Sequence, residues 1–152
     1  MINNDIVRRL RKTYDLDDTQ TKAIFAHTQL NLNDEQFANL FKQNSEDGYA
    51  QMTDLELAHF LNGFIIEKRG KKEGAQPEME TQLSNNAILN KIKIALELKA
   101  EDTIEIFKSA EVTLTKYELS AFFRNNQHKH FKPCSDDVLS AFLRGLKNTF
   151  AK

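Results

Sequence analysis

The sequence predicts an all-α protein, built as two tandem pseudo-symmetric four-helix repeats packed together into one compact unit. Three observations carry that expectation. The chain of 152 residues aligns with itself at an offset of 82, with residues 3–65 lying over 85–147 without a gap. In each copy the apolar residues recur at helical spacing. No segment of useful length alternates as a half-buried strand does. Identical pairs across the offset include Asn3/Asn85, Asn4/Asn86, Thr21/Thr103, Phe25/Phe107, Phe60/Phe142 and Gly63/Gly145. Substituted pairs such as Leu10/Ile92, Leu40/Phe122 and Tyr49/Phe131 exchange one apolar residue for another. An ungapped match of this kind marks an internal duplication, and two copies are too few for a solenoid.

Taken in order, the first helix of each copy shows Ile6, Val7, Leu10 and Tyr14, or Ile88, Leu89, Ile92 and Leu96, on one stripe. Asn3 or Asn4, and Ser84 or Asn85, stand where an N-cap side chain would accept from free amides. The second helices carry Ile24-Phe25 and Ile106-Phe107. Asn33 with Gln36, and Thr115 with Glu118, have the spacing of capping boxes that open the third helices. Those helices present Phe37, Leu40 and Phe41, then Leu119, Phe122 and Phe123. Thr53 with Glu56 opens the fourth helix of copy one, and Ser135 caps its counterpart. The fourth helices repeat a phrase, "DLELAHFLNG" against "DDVLSAFLRG". Their glycines, Gly63 and Gly145, sit inside the apolar stripe at a cost of about 0.5–1 kcal/mol relative to Ala. Close helix packing that a side chain would block is the first explanation, and backbone left open for a partner is the alternative.

Between the copies runs "KRGKKEGAQPEMETQL". Gly70 suits the end of a helix whose last residues, Lys68 and Arg69, complement the negative pole of the dipole. Gly74 and Pro77 then oppose helical continuation. The expected domains are repeat 1 over 1–69, a linker over 70–83 and repeat 2 over 84–152. A repeat of about 65 residues has a thin core, so burial of apolar surface between the copies is expected. The sequence is compatible with a homodimer without demanding one.

With 40% apolar residues and eleven Phe, the chain can build a core. The net charge of −1 and pI near 6.4 give no global attraction to nucleic acid or anionic membranes. The single cysteine, Cys134, excludes an internal disulfide and suits a reducing compartment. The amino terminus has no apolar signal-peptide core, and no apolar run has the length of a membrane span. The expected location is the cytoplasm.

The segments "NNDIVRRLR", "FLNGFIIEKRGK", "NNAILNKIKIAL" and "FLRGL" together resemble the YehS-like family of bacterial proteins, and the resemblance covers essentially the whole chain. It implies a bacterial, all-helical, duplicated protein without an established activity. No catalytic or ligand residue is carried over with it.

The residues offer little enzymatic chemistry. There is no glycine-rich phosphate loop, no nucleophile elbow and no His-Glu-x-x-His zinc signature, so no catalytic residue, no metal and no cofactor is expected. His128, His130 and Cys134 could in principle ligate a metal, but their spacing matches no closed zinc site. A solvated basic loop is the preferred reading, with Cys134, aligned with Met52, as a small hydrophobe. His27 and His59 are read as surface or boundary residues.

Comparison of the two loops is more informative. Copy one reads "NSEDGYAQM", with Asn44, Glu46, Asp47 and Tyr49, and copy two reads "NQHKHFKPC", with Asn126, His128, Lys129, His130 and Lys132. A shared frame with tips of reversed charge makes these nine residues candidate recognition positions. A second candidate is a basic face of Arg8, Arg9, Arg11 and Lys12 on the first helix with Lys68, Arg69, Lys71 and Lys72 at the linker. Residues 1–75 hold ten Lys/Arg and twelve Asp/Glu, so such a face must be local. The expected function is non-enzymatic binding of another macromolecule, with an unknown protein partner first. A nucleic-acid role through the basic face is second, and a small-molecule or enzyme site between the repeats third. No membrane role is expected.

Overall fold

The computed structural model describes residues 1–71, 73–74 and 78–150; Lys72 of the basic cluster and Pro77 of the linker lie outside the described residues. Among these the protein is all-α, without strands. Repeat one supplies α1 (Asn3–Tyr14), α2 (Asp18–Ala26), α3 (Asp34–Leu40) and α4 (Asp54–Arg69). Repeat two supplies α5 (Asn85–Ala95), α6 (Ala100–Ser109), α7 (Lys116–Ala121) and α8 (Asp136–Phe150). The chain divides into two compact units, Met1–Gln82 and Leu83–Lys152.

Capping chemistry starts most of these helices. In unit 1, Asn33 and Gln36 close the box at α3, and Thr53 and Glu56 close the one at α4. Thr115 and Glu118 do the same at α7, with Thr115 N donating to Glu118 Oε1 at 3.0 Å and Glu118 N to Thr115 Oγ1 at 3.1 Å. A further box, Asp17 with Gln20, opens α2. Thr21 and Thr103, both fully buried, donate one turn back to Asp17 O at 2.8 Å and Lys99 O at 2.9 Å. That bond is why a hydroxyl is tolerated inside each core.

In unit 1, α4 packs on α2 and α1; in unit 2, α8 packs on α6 and α5. Phe25 meets Phe60 at a centroid distance of 5.3 Å, and the equivalent Phe107 meets Phe142 at 5.5 Å. All four rings are fully buried, each contributing about 1.5–3 kcal/mol of burial free energy. The fourth-helix glycines let these layers close. A Cβ at Gly63 would stand 1.9 Å from the Ile24 carbonyl oxygen, and one at Gly145 would stand 2.2 Å from that of Ile106. Close packing therefore accounts for both glycines, since the space beside them belongs to the neighbouring helix.

The expectation for Asn3 and Asn4 needs correction. The N-cap of α1 is Ile2, which makes no side-chain cap bond; Ser84 caps α5, accepting from Ala87 N at 3.1 Å. The asparagines act over long range instead. Asn4, with no exposed surface, donates from Nδ2 to Leu40 O at 2.7 Å and Ala50 O at 2.9 Å, and its Oδ1 accepts from Met52 N at 2.8 Å. Asn86 repeats this with Phe122 O, Lys132 O and Cys134 N, each at 2.9 Å. Asn3 and Asn85 donate to Met52 O and Cys134 O, both at 3.1 Å, and to Asp54 Oδ1 at 2.8 Å and Asp136 Oδ1 at 2.7 Å. The paired asparagines thus tie the first helix of each unit to the end of its third helix and to the loop beyond it. Without them, buried backbone groups of that loop would lack partners.

Both units also turn their chain at non-glycine residues with positive φ. Asp15 (54°) matches Glu97 (53°), and Gln29 (74°) matches Glu111 (65°). Each follows a helix end, in the left-handed conformation that terminates helices.

Candidate functional site

The loops proposed for recognition join α3 to α4 and α7 to α8, and they share one backbone frame. In unit 1, Glu46 N donates to Gln43 O at 3.0 Å, Tyr49 N to Glu46 O at 3.2 Å, and Ala50 N to Asn39 O at 3.0 Å. In unit 2 the equivalent bonds are His128 N to Asn125 O at 2.9 Å, Phe131 N to His128 O at 3.0 Å, and Lys132 N to Ala121 O at 3.0 Å. Each loop is therefore folded back onto the third helix of its unit. Tyr49 and Phe131 are half-buried beneath the turn, while Asn44, Glu46, Asp47, Asn126, His128, Lys129, His130 and Lys132 are exposed.

Identical scaffolds carry opposite charge. At α3 of unit 1 stand Asp34 and Glu35, and at the tip Glu46 and Asp47; the same positions in unit 2 hold Lys116, Tyr117, His128 and Lys129. Ala50 gives way to Lys132. Lys22 pairs with Asp34, holding its carboxyl below the usual range by a hydrogen bond and by charge. In unit 2 the polarity of the pair is inverted, with Lys116 Nζ 3.1 Å from Glu101 Oε1. Gln36/Glu118 runs against the trend, but the Glu118 carboxylate is turned onto the Thr115 amide.

Unit 2 adds an ordered cluster that sequence reading missed. Tyr117 is 59% exposed. The Arg124 guanidinium lies 5.1 Å from its ring centroid, and His130 meets it edge-on at 6.3 Å. His128 lies 5.6 Å from His130, and its Nδ1 accepts from His130 N at 3.0 Å. The signal was in the offset comparison, where Tyr117 stands opposite an exposed glutamate. An exposed aromatic held between a guanidinium and an imidazole suits recognition by stacking, apolar contact and charge together.

The basic face on α1 is largely committed to the fold. Arg8 Nη1 donates to Asp5 Oδ1 at 2.8 Å, and its Nη2 donates to Lys42 O. Arg11 donates to Asp18 Oδ1 at 2.6 Å, and its guanidinium lies 4.6 Å from the Phe41 ring centroid. Lys93 covers Phe123 in the same way at 5.1 Å. Lys68 Nζ lies over Tyr14 at 5.2 Å. Arg9 is half-buried, and Lys12, Arg69 and Lys71 are exposed.

The histidines of unit 1 serve α4: His27 Nε2 lies 3.0 Å from Glu67 Oε1, and Thr28 Oγ1 donates to His59 O at 3.0 Å. Cys134 is 6% exposed, and burial, reinforced by the Asp136 charge, pushes its thiol up to about 11. It is correspondingly unreactive. Among the described residues no group of three or more His, Cys, Asp or Glu side chains is placed to hold a metal ion, and no helix is long and apolar enough to cross a membrane. Unit 1 has a cleft of about 270 Å³ floored by Leu30, Leu32, Leu40 and Ala50. Two polar groups on its rim, Gln36 Oε1 and Glu56 Oε1, already accept capping hydrogen bonds from Asn33 N and Thr53 N.

The repeat seen in the geometry is also a family signature. The sequence profile of a family described as "Protein of unknown function (DUF1456)" matches residues 3–70 and again 85–150. The "Uncharacterized protein YehS" of Escherichia coli (strain K12) is 36% identical over 147 residues, spanning 96% of this chain and 94% of that protein. No solved structure matches. Two matches in tandem, each coinciding with one four-helix unit, show that the chain belongs to the DUF1456 family.

Proposed function

We propose that the protein is a non-enzymatic protein-binding module whose recognition surface is the face formed by α7 and the α7–α8 loop. One observation carries this reading. Two loops with the same hydrogen-bonded frame present opposite charge, and the basic one adds the exposed Tyr117–Arg124–His130 cluster. Such a surface complements a protein segment with acidic groups around an apolar contact. Arg8, Arg11 and Lys68 are engaged within their own unit, which weighs against a nucleic-acid role for the α1 face.

A second reading draws on the same cluster, because an aromatic beside a guanidinium also stacks on single-stranded bases. A tagged pull-down from the native host decides between them, comparing the parent with Lys129→Glu/Lys132→Glu, with and without nuclease. The expected result is a protein captured in a nuclease-insensitive way by the parent and lost in the double variant. Recovery of RNA or DNA that falls away steeply with added salt, as counterion release requires, would replace the protein reading. Equal capture by parent and variant would remove this face from the function.

A further inference from the structure

We infer that the partner of the basic face is a second copy of this chain, which docks the acidic face of its unit 1 onto α7 and the α7–α8 loop of unit 2. This deepens the protein-binding reading and rests on it. The charges of the two faces lead here. The two faces have equivalent backbone, down to the bonds that fold Ala50 onto Asn39 and Lys132 onto Ala121, so they differ in charge rather than in frame. Their charges differ mostly in one sense, with Gln36/Glu118 and Leu55/Asp137 as the exceptions. Asp34/Lys116 and Asp47/Lys129 go from negative to positive, Ala50/Lys132 from neutral to positive, and Glu46/His128 loses a negative charge.

The pairings available to such faces are unequal. Unit 1 against unit 1 brings Glu35, Glu46 and Asp47 against their own copies, and unit 2 against unit 2 does the same with Lys129 and Lys132, while Lys42 and Arg124 hold one basic position common to both units. Like charges set face to face are strongly disfavoured. Unit 1 against unit 2 sets the excess anions, Glu35, Glu46 and Asp47, against the excess cations, Lys129 and Lys132. Tyr117, 59% exposed, supplies the apolar centre that charge pairs alone do not give a contact. Each chain carries one face of each kind. The contact is therefore heterologous, and it closes as a reciprocal dimer or propagates from copy to copy.

Sedimentation velocity on the full chain tests this, from about 1 µM to about 100 µM protein, where contacts of modest affinity become visible. The parent is expected to associate at about 30 mM salt and to dissociate progressively toward about 300 mM. Glu35→Lys/Asp47→Lys makes both faces basic, and Lys129→Glu/Lys132→Glu makes both acidic. Each alone should associate at least about tenfold more weakly, because two or three exposed pairs become repulsions. An equimolar mixture of the two variants should recover association, and so should a single chain carrying all four changes. Far-UV circular dichroism verifies that the variants are folded. A parent that stays monomeric throughout, or a mixture that fails to recover, overturns the inference. If the parent is monomeric but capture of a host protein still depends on Lys129 and Lys132, self-docking falls and the protein-binding reading stands. If the parent is monomeric and captures nothing, or captures equally with Lys129→Glu/Lys132→Glu, both fall.

Discussion

Replacing Gly63 by alanine separates packing from helix propensity, because the two predict opposite signs. By propensity alone, alanine in a helix interior gains about 1 kcal/mol over glycine. The geometry forbids that gain. The new Cβ would stand 1.9 Å from Ile24 O, and ordinary contact begins near 3.4 Å, so α2 and α4 must separate by about 1.5 Å. The obstacle is a backbone carbonyl within α2, which cannot rotate aside as a side-chain tip can. Separation on that scale also loosens Phe25 against Phe60, now at 5.3 Å. Overpacking typically costs about 1–3 kcal/mol, and a backbone obstacle places Gly63→Ala at the upper end, about 3 kcal/mol. After the propensity gain, a net loss of about 2 kcal/mol is expected. In a unit of this size that lowers Tm by about 8–16 °C. Gly145→Ala should behave alike, its Cβ meeting Ile106 O at 2.2 Å. Urea unfolding followed by far-UV circular dichroism measures the effect, with the slope m confirming that compactness is unchanged. A midpoint at or above the parent's for either variant refutes the close-packing account of these glycines.

The other predictions concern the loop frame. Asn86→Ala leaves Phe122 O, Lys132 O and Cys134 N without their side-chain partner. With Phe122 O and Cys134 N part-buried, the loss is about 1–3 kcal/mol, against about 1 kcal/mol for removing the true cap with Ser84→Ala. Hydrogen exchange over residues 125–134 should quicken only in the Asn86 variant; equal effects would return Asn86 to a capping role. Glu118 has its pKa lowered, first by the Thr115 amide and then by the Thr115 side chain. A depressed folded-state pKa means the stabilisation is present above the ordinary Glu value of about 4.3 and is lost as pH falls through the folded value. Gln36 already makes the same box in unit 1, its Oε1 accepting from Asn33 N at 3.0 Å. Glu118→Gln should therefore match the parent near neutrality and show a shallower acid loss in urea midpoints between about pH 5 and pH 3; an unchanged acid slope would remove Glu118 as a titrating cap.

Helices and repeat were legible because their causes are local. Phe60, Phe64 and Leu57 lie on one side of α4 by spacing alone, and Thr53 with Glu56 marks its start within four residues. The asparagines were misread because a cap and a long-range tether look alike in one dimension. The acceptors of Asn4 lie 36 and 46 residues away. A clue was present in the duplication: caps interchange among Asn, Ser, Thr and Asp, as Asn33/Thr115 and Thr53/Ser135 do, whereas Asn3-Asn4 and Asn85-Asn86 did not change. Asp15, Glu97, Gln29 and Glu111 escaped notice as left-handed turns for a different reason. None is the glycine or asparagine that usually marks the conformation.

The tethers and the tips also explain one another. A loop whose frame is held from below by an asparagine of the first helix, with its carboxamide donating to two carbonyls and accepting from one amide, does not depend on its exposed side chains to keep its shape. Those side chains are free to change sign without unfolding the turn, and between the units they have done so: Glu46 and Asp47 stand where His128 and Lys129 stand. Duplication supplies two copies of such a frame in one chain, so one can become acidic while the other becomes basic. A single repeat could present only one charge on that face. Buried Asn4 and half-buried Asn86 hold the loops, Gly63 and Gly145 let the layers beneath them close, and the proposed recognition chemistry rests on residues that neither packing nor tethering constrains.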